Sequence, residues 1–513
     1  MSTGNRSASF AMAALCATAL ACGSTPNSVQ TGQGGGGAAG GTLDAGGTLG
    51  GGGSVALGGQ AGENSPTTRK TITLGAPPDA NVDILFVLDD WASTTVVQQK
   101  LYDQIPLFLS VLKASPMPLD LHVAVVTPDM GVSGDTSSAI ICTPHGDDGA
   151  FRSAPTGMCS DTTVAAGATF LTDDGRGTTN FTGSISDVLQ CIFLVGNGGC
   201  GFGQPLAAAE HALGADNVVG GVPTPPAVNA GFLRPDAALA IIFLADQDDC
   251  SAPAGTPLFS LGGDQNLTNP LGPLQHYRCN QFGHLCQDPG MGEAYVMPPL
   301  TPPADAQGTA AAPTLDLQNC KDNDQGTGLL TPVSRLVADL QALKSDPDNQ
   351  ILVASIVAPA SPYSVAWVPA GSESTLPGEL WPKVEQSCGA AGGEDLNPEA
   401  TMNPTDGSFG DPGVRIAAFA NSFSQSVVAS ICDPTYASTA QAIATKIAAL
   451  PNHQDCLTGP IQRDGYGQPS CTVTASIANA SGDTLAVPYP NCDESGNVIP
   501  CWTLASSSAT CNG

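Results

Sequence analysis

Two apolar runs, each closing on a carboxylate, constrain this chain more than anything else in it. Val82-Asp83-Ile84-Leu85-Phe86-Val87-Leu88-Asp89 and Ala238-Leu239-Ala240-Ile241-Ile242-Phe243-Leu244-Ala245-Asp246 are apolar at nearly every position. A strand with one wet face alternates, whereas a strand covered on both faces reads as a continuous apolar run, as in a central parallel sheet. In an open doubly wound sheet, ligands bind beyond the carboxyl ends of the strands, where the strand order reverses. If the two runs are neighbours, Asp89 and Asp246 face one crevice, with Ser93 and Thr94 at the start of the following helix.

The rest of the periodicity fits such a sheet. Val97, Leu101, Ile105, Phe108 and Leu112 recur at helical spacing, with a kink or restart expected at Pro106. Leu119–Thr127 reads as a second strand. Ile185–Ile192 and Leu206–Leu213 read as helices, as does the stripe from Val333 to Leu343. Ile351–Pro359 and Val427–Cys432 read as further strands, and Ser438 is expected to cap a last helix carrying Ile443, Ile447 and Leu450. Alternation of strand and helix predicts an α/β fold, a Rossmann-like, mostly parallel sheet flanked by helices. Residues 130–182 and 247–330 are too long for ordinary connections and are expected to be loop insertions stapled by disulfides.

The N-terminus has a different logic. Arg6, an apolar stretch from Phe10 to Leu20 and then Ala19-Leu20-Ala21-Cys22 have the layout of a secretory signal too short to span a bilayer. The small residue before Cys22 resembles a bacterial lipobox, which implies cleavage at 1–22 and a lipid on Cys22. Gly23 rather than Asp follows, which under the usual sorting rule implies the outer membrane. Residues 23–70, rich in Gly, Ser, Thr and Ala, cannot bury enough apolar surface to offset ordering entropy and are expected to form a disordered tether. Its r.m.s. reach would be roughly 35–40 Å. The folded part is then 71–450, followed by a Cys-rich, irregular C-terminal extension at 451–513.

Of seventeen cysteines, all but Cys16 and Cys22 fall after the signal, and that density in an exported chain implies disulfides. Proximity suggests Cys142 with Cys159 and Cys191 with Cys200. The net charge of −30 opposes binding to nucleic acid or anionic lipid. Membrane contact would therefore come through the lipid anchor alone.

Val82–Ser93, Cys200–Leu206 and Phe243–Cys250 together resemble a cysteine-rich subgroup of von Willebrand factor A (VWA) domains found in bacterial lipoproteins. The resemblance covers about residues 80–450. It implies a metal-ion-dependent adhesion site, where hydroxyls and carboxylates hold Mg²⁺ or a similar ion and leave one position for a partner's carboxylate. Asp89 matches the first carboxylate, Ser93 the second serine and Asp246 the later carboxylate. Trp91 stands where the family has its first serine and offers no oxygen, and the family's threonine has no clear counterpart near Gln204–Leu213. Mg²⁺ demands near-octahedral oxygen ligation, so a degenerate, weak or lost site is expected.

Other constellations carry less. Gly196–Gly201 has dinucleotide-binding glycine spacing but follows a helix, not a strand. His276, Cys279, His284 and Cys286 offer zinc ligands, though with spacing unlike a zinc finger and in an oxidising compartment. Asp248 and Asp249 are expected to be solvated loop charges. The sequence therefore suggests a non-catalytic, envelope-anchored binding or scaffold lipoprotein whose ligand is a surface protein or glycan. The alternative is an exported hydrolase whose active site lies in the 247–330 insertion, using Asp246, Asp248 or His276 in acid–base roles.

Overall fold

The structure is a computed structural model that describes residues 80–115, 118–132, 142–152, 164–260, 265–303, 313–325, 328–370, 376, 378–389 and 409–450 in full. Of Val55–Leu57, Lys70–Ile72, Val473–Ala478 and Thr484–Tyr489 it describes the backbone. The chain divides into two units, Asp79–Asn452 and a second made of Met1–Pro78 with His453–Gly513. Cys22 and the signal segment lie outside the described residues.

The first unit is built on a six-stranded sheet. Its strands are β1 (Ala80–Leu88), β2 (Leu119–Val126), β3 (Leu171–Asp173), β4 (Ala238–Leu244), β5 (Ile351–Val357) and β6 (Gln425–Ser430). The spatial order is β6-β5-β4-β1-β2-β3, parallel throughout except for β3, an antiparallel edge strand within the expected first insertion. The order reverses between β1 and β4, which are hydrogen-bonded neighbours, so a doubly wound crevice opens beyond their carboxyl ends.

Period-2 alternation divides β1 between two cores. Ile84, Phe86 and Leu88 pack with helices α1 (Thr95–Tyr102), α2 (Ile105–Lys113) and α3 (Ile185–Phe193). Leu85 and Val87 face α4 (Pro205–Ala212) on the other side. The helix does restart at Pro106, which occupies the first turn of α2, where its missing N–H costs nothing. Ser184 caps α3 by accepting from the Asp187 N–H. Helix α5 (Tyr277–Gly283) lies in the second expected insertion, and α6 (Val333–Gln341) and α7 (Val414–Asn421) join α4 on its face of the sheet. Helix α8 (Ala437–Ala449) packs with α1 to α3. Its N-cap is Tyr436, so Ser438 lies inside the first turn rather than at the cap.

Residues 247–330 are more than a stapled loop. They supply three strands of a second, antiparallel sheet in the order Tyr295–Val296, His284–Gln287, Thr314–Asp322, Tyr363–Pro369, Leu380–Val384. Tyr363 and Trp367 of this sheet are buried in one cluster with Tyr277 of α5. Four disulfides join described residues: Cys142–Cys200, Cys250–Cys279, Cys286–Cys320 and Cys388–Cys432. Cys142 and Cys200 are therefore bonded to each other and not to Cys159 and Cys191. Cys191 is itself disulfide-bonded, and Cys159 lies outside the described residues.

In the second unit, Val55–Leu57 pairs with Lys70–Ile72 inside the segment expected to be coil, and Val473–Ala478 pairs with Thr484–Tyr489 inside the tail expected to be irregular.

Asp83, the one charge inside the β1 run, is fully buried and explained by Arg234. Its two oxygens accept the Arg234 side chain Nε and backbone N, each at 2.8 Å, while Arg234 also reaches Asp120 at 2.8 Å. One guanidinium thus fastens the amino ends of β1 and β2 to the segment entering β4. Removing one partner of a buried pair leaves an uncompensated charge. We expect Arg234→Ala to lower stability in urea unfolding by about 3–5 kcal/mol, with part recovered when Asp83→Asn is added. A loss under about 1 kcal/mol would show that the pair is not the staple described.

Candidate functional site

Beyond the end of β4 the chain reads Ala245-Asp246-Gln247-Asp248-Asp249-Cys250, and all three carboxylates are buried. Burying a charge costs several kcal/mol unless it is paired or hydrogen-bonded. The three meet that cost differently, and the difference locates the site.

Asp248 is fully engaged. One oxygen receives the Arg415 N–H at 2.7 Å and the other the Ile416 N–H at 3.1 Å, so the carboxylate sits on the N-terminus of α7, where partial positive charge favours it. His284 Nε2 is 2.7 Å from the same carboxylate, and His284 Nδ1 is 2.8 Å from the Tyr363 hydroxyl. Burial pushes the Asp248 pKa up, but the His284 contact and these N–H groups outweigh it and hold it below the ordinary range. Asp249 is engaged as well. It pairs with Arg415 at 3.0 Å, accepts the Leu206 N–H of α4 at 3.2 Å, and receives both the N–H and the hydroxyl of Ser251. The expectation of solvated loop charges is thus overturned for both residues, because two helix N-termini and one buried arginine receive them.

Among the described residues no helix N-terminus and no arginine reaches Asp246, which has only Ser93 and Asp89 beside it. Neither of its oxygens has a hydrogen-bond partner of acceptable geometry, although the residue is only 3% exposed. Burial raises its pKa to about 6, against which nearby Ser93 and Asp89 act. Asp89 lies across the crevice, its backbone N–H bonded to Leu244 O at 3.0 Å. Burial, followed by the charge of Asp246, pushes the Asp89 carboxyl well above the usual range. The residues matched to the adhesion site, Asp89, Ser93 and Asp246, are therefore brought together.

The turn after β1 is held by side chains that were not singled out as ligands. Asp89 Oδ1 accepts the Trp91 N–H at 3.0 Å, Thr94 Oγ1 donates to Asp89 O at 2.9 Å, and Gln98 Nε2 donates to Asp89 O and to Gly196 O, each at 2.7 Å. Where the missing threonine would stand, the loop before α4 offers backbone. Gly199 N–H donates to Asp90 O at 2.9 Å, and a Cβ at Gly201 would lie 3.2 Å from the Trp91 ring. The indole thus packs on a glycine of that loop, which the Cys142–Cys200 disulfide fixes from behind.

Two more carboxylates border the site, and neither carries a signal in the sequence. Asp90 is buried with Oδ1 unpartnered, and burial raises its pKa to about 7. Asp411 donates its backbone N–H to Asp246 O at 2.8 Å, and its own carboxyl is raised to about 7 by burial and then by the Asp246 charge.

The other candidate centre does not assemble. Cys250 and Cys279 form a disulfide with His276 beside it, Cys286 is bonded to Cys320, and His284 is committed to Asp248 and Tyr363. His276 Nε2 lies 3.2 Å from the backbone oxygen of Asp248, and burial lowers its pKa to about 4. No family model matches the chain, and no curated protein does.

These environments set a pH dependence. Asp246 and Asp90 have folded-state pKa values above the ordinary carboxylate value of about 3.9. They therefore favour folding most at low pH, and that contribution is lost as pH rises through about 6 to 7. For Asp246 it amounts to about 3 kcal/mol at most. Asp248 has the opposite sign and destabilises only as pH falls below the ordinary carboxylate range. In chelator, Tm should be several degrees higher at pH 5 than at pH 8, and millimolar divalent cation should narrow the gap. Equal midpoints across that range in chelator would contradict the burial described.

Proposed function

We propose that this chain is a non-catalytic, envelope-anchored binding lipoprotein, built on a VWA-like domain with a weak divalent-cation site at Asp89, Ser93 and Asp246. The observation that carries the reading is the contrast at the end of β4. Asp248 and Asp249 are neutralised by groups of the protein itself, while both oxygens of Asp246 stand buried and unpartnered at the point where the strand order reverses. A carboxylate kept in that state is suited to a cation from outside. Two carboxylates and a hydroxyl leave several positions to water, so affinity belongs in the range of roughly 10⁻⁴–10⁻³ M typical of extracellular Ca²⁺ modules. When bound, Mg²⁺ or a similar ion would offer one position to a carboxylate of a surface protein or glycan. Trp91 narrows the entrance that such a partner would use.

Support for the VWA-like reading comes from the sheet order and from the meeting of the matched residues. The hydrolase alternative needs a histidine in reach of both a serine hydroxyl and a carboxylate. Among the described residues His284 faces Tyr363 and Asp248, and His211 faces Asp216 and Asp148, so no observation favours that reading.

Anchoring follows from Cys22, and no described helix is long and apolar enough to cross a membrane. Cys22→Ser should move the protein from the outer-membrane fraction into the soluble fraction; retention after a salt wash would place the anchor elsewhere. Capture from intact envelopes in millimolar Ca²⁺ or Mg²⁺ should enrich a protein or glycan over a charge-matched control, and chelator should release it. No enrichment in either condition would contradict the binding role.

A further inference from the structure

We propose that the hairpin Val218–Pro223 dips into the surface of a lipid bilayer with neutral headgroups, giving the anchored domain a second contact with its membrane. This inference rests on the reading of Cys22 as the lipid anchor.

The hairpin is built to stand out. Val218–Val219 pairs antiparallel with Val222–Pro223 in the connection between α4 and β4. Gly220 and Gly221 join the two with φ of +61° and +84°, the positive values that a type I′ turn requires. A Cβ on either glycine would meet nothing within 4 Å, so the tip stands in open space. Val218, Val219 and Val222 are 53–63% exposed, and Val228, in the short helical turn that follows, is 50% exposed. Clustered apolar exposure of this kind marks contact with a protein or a membrane.

The root is fixed. The Thr224 N–H donates to Asn217 O at 2.9 Å, and Asn217 Nδ2 donates to Thr224 O at 3.2 Å. The buried Asn229 donates from Nδ2 to Gly149 O at 2.8 Å and to Ala212 O at 3.0 Å, and its Oδ1 accepts the Phe151 N–H at 3.0 Å. The valines are thus presented on a pinned base, and covering them costs little ordering entropy.

Charge, area and dimensions favour lipid as the occupant. Residues 217–233 contain no Asp, Glu, Lys, Arg or His, in a chain whose net charge is −30. That net charge repels a second copy and an anionic headgroup alike, whereas an uncharged tip enters a neutral interface without stripping water from an ion. The exposed Met291, Tyr295 and Met297 share their segment with Asp288 and Glu293 and lack this property. A stable protein complex buries about 800 Å² per partner, more than four half-exposed valines offer, and a fluid lipid surface needs no matching shape. Val218, Val219 and the turn reach roughly 10 Å beyond Asn217, the depth at which interfacial segments lie. Asp216, at the root and 2.7 Å from His211, stays in water and stops the tip there. The contact is weak by itself. An acyl group on Cys22, joined to this unit through the chain before Ala80, keeps the hairpin at high local concentration beside the bilayer, so that a weak contact is occupied.

Fluorescence of the full chain isolated from membranes tests this. Val219→Trp is mixed with phosphatidylcholine vesicles with and without bromine on the acyl chains, and the spectrum of the unmodified chain is subtracted. The added indole should shift to the blue and lose emission to bromolipid. Adding Val222→Asp should remove both effects while leaving Tm unchanged, and quenching that persists with Val222→Asp would overturn the role of the apolar tip. An indole that keeps a water-exposed spectrum on the vesicle-bound chain would overturn the lipid contact and leave the anchor standing. A blue shift without bromolipid quenching would show that protein covers the hairpin, from a second copy or from elsewhere in this chain, and would overturn it as well. Mass spectrometry of the same sample reads the acyl group on Cys22. Quenching without an acyl group would uphold the hairpin contact and overturn the anchor, and the absence of both would overturn the two readings together.

Discussion

Buried negative charge at the end of β4 is the constraint around which this domain is arranged. A strand that enters the sheet as Ala238–Leu244 and leaves it as Asp-Gln-Asp-Asp places three carboxylates out of water within four residues. Without compensation such a segment would unfold the strand behind it. The compensation comes from distant parts of the chain: the N-termini of α4 and α7, the Arg415 guanidinium and His284 of the second sheet. The second sheet and α7 are thus held at the sheet's carboxyl end by the same contacts that neutralise Asp248 and Asp249.

The remaining carboxylate gives the arrangement its functional sense. Asp246 receives no helix end and no arginine, yet it is as buried as its neighbours. Asp89 and Ser93 lie beside it, and the Asp411 N–H bonds its backbone oxygen. Disulfides hold the loops on either side, Cys142–Cys200 behind the Trp91 turn and Cys388–Cys432 beyond the ends of Leu380–Val384 and β6.

What could be read in the sequence follows the physics of each element. The parallel sheet was legible because strands buried on both faces are apolar throughout, and the crevice followed once two of them ended in aspartate. The second sheet was not, since Thr314–Asp322 is mostly exposed and polar, Leu380–Val384 contains Pro382, and Tyr295–Val296 is only a dipeptide. Asp248 and Asp249 looked like loop charges because their partner Arg415 lies more than 160 residues away in the chain. The same holds for Cys142 and Cys200, which fold together across a separation of 58 residues while nearer cysteines attract the eye. Asp411 lies in a stretch with no periodic pattern, and the bridge of Gly410 to Cys388 and the bond of its N–H to Asp246 O bring it there.

The central claim is that Asp246 is left unpartnered in order to hold a cation. A crystal structure of the full chain grown in millimolar Ca²⁺ tests it most directly. The account predicts an ion roughly 2.3–2.6 Å from an Asp246 carboxylate oxygen, with Asp89 bound to it directly or through water. An Asp246 carboxylate hydrogen-bonded by protein groups, with no ion in the crevice, would contradict it.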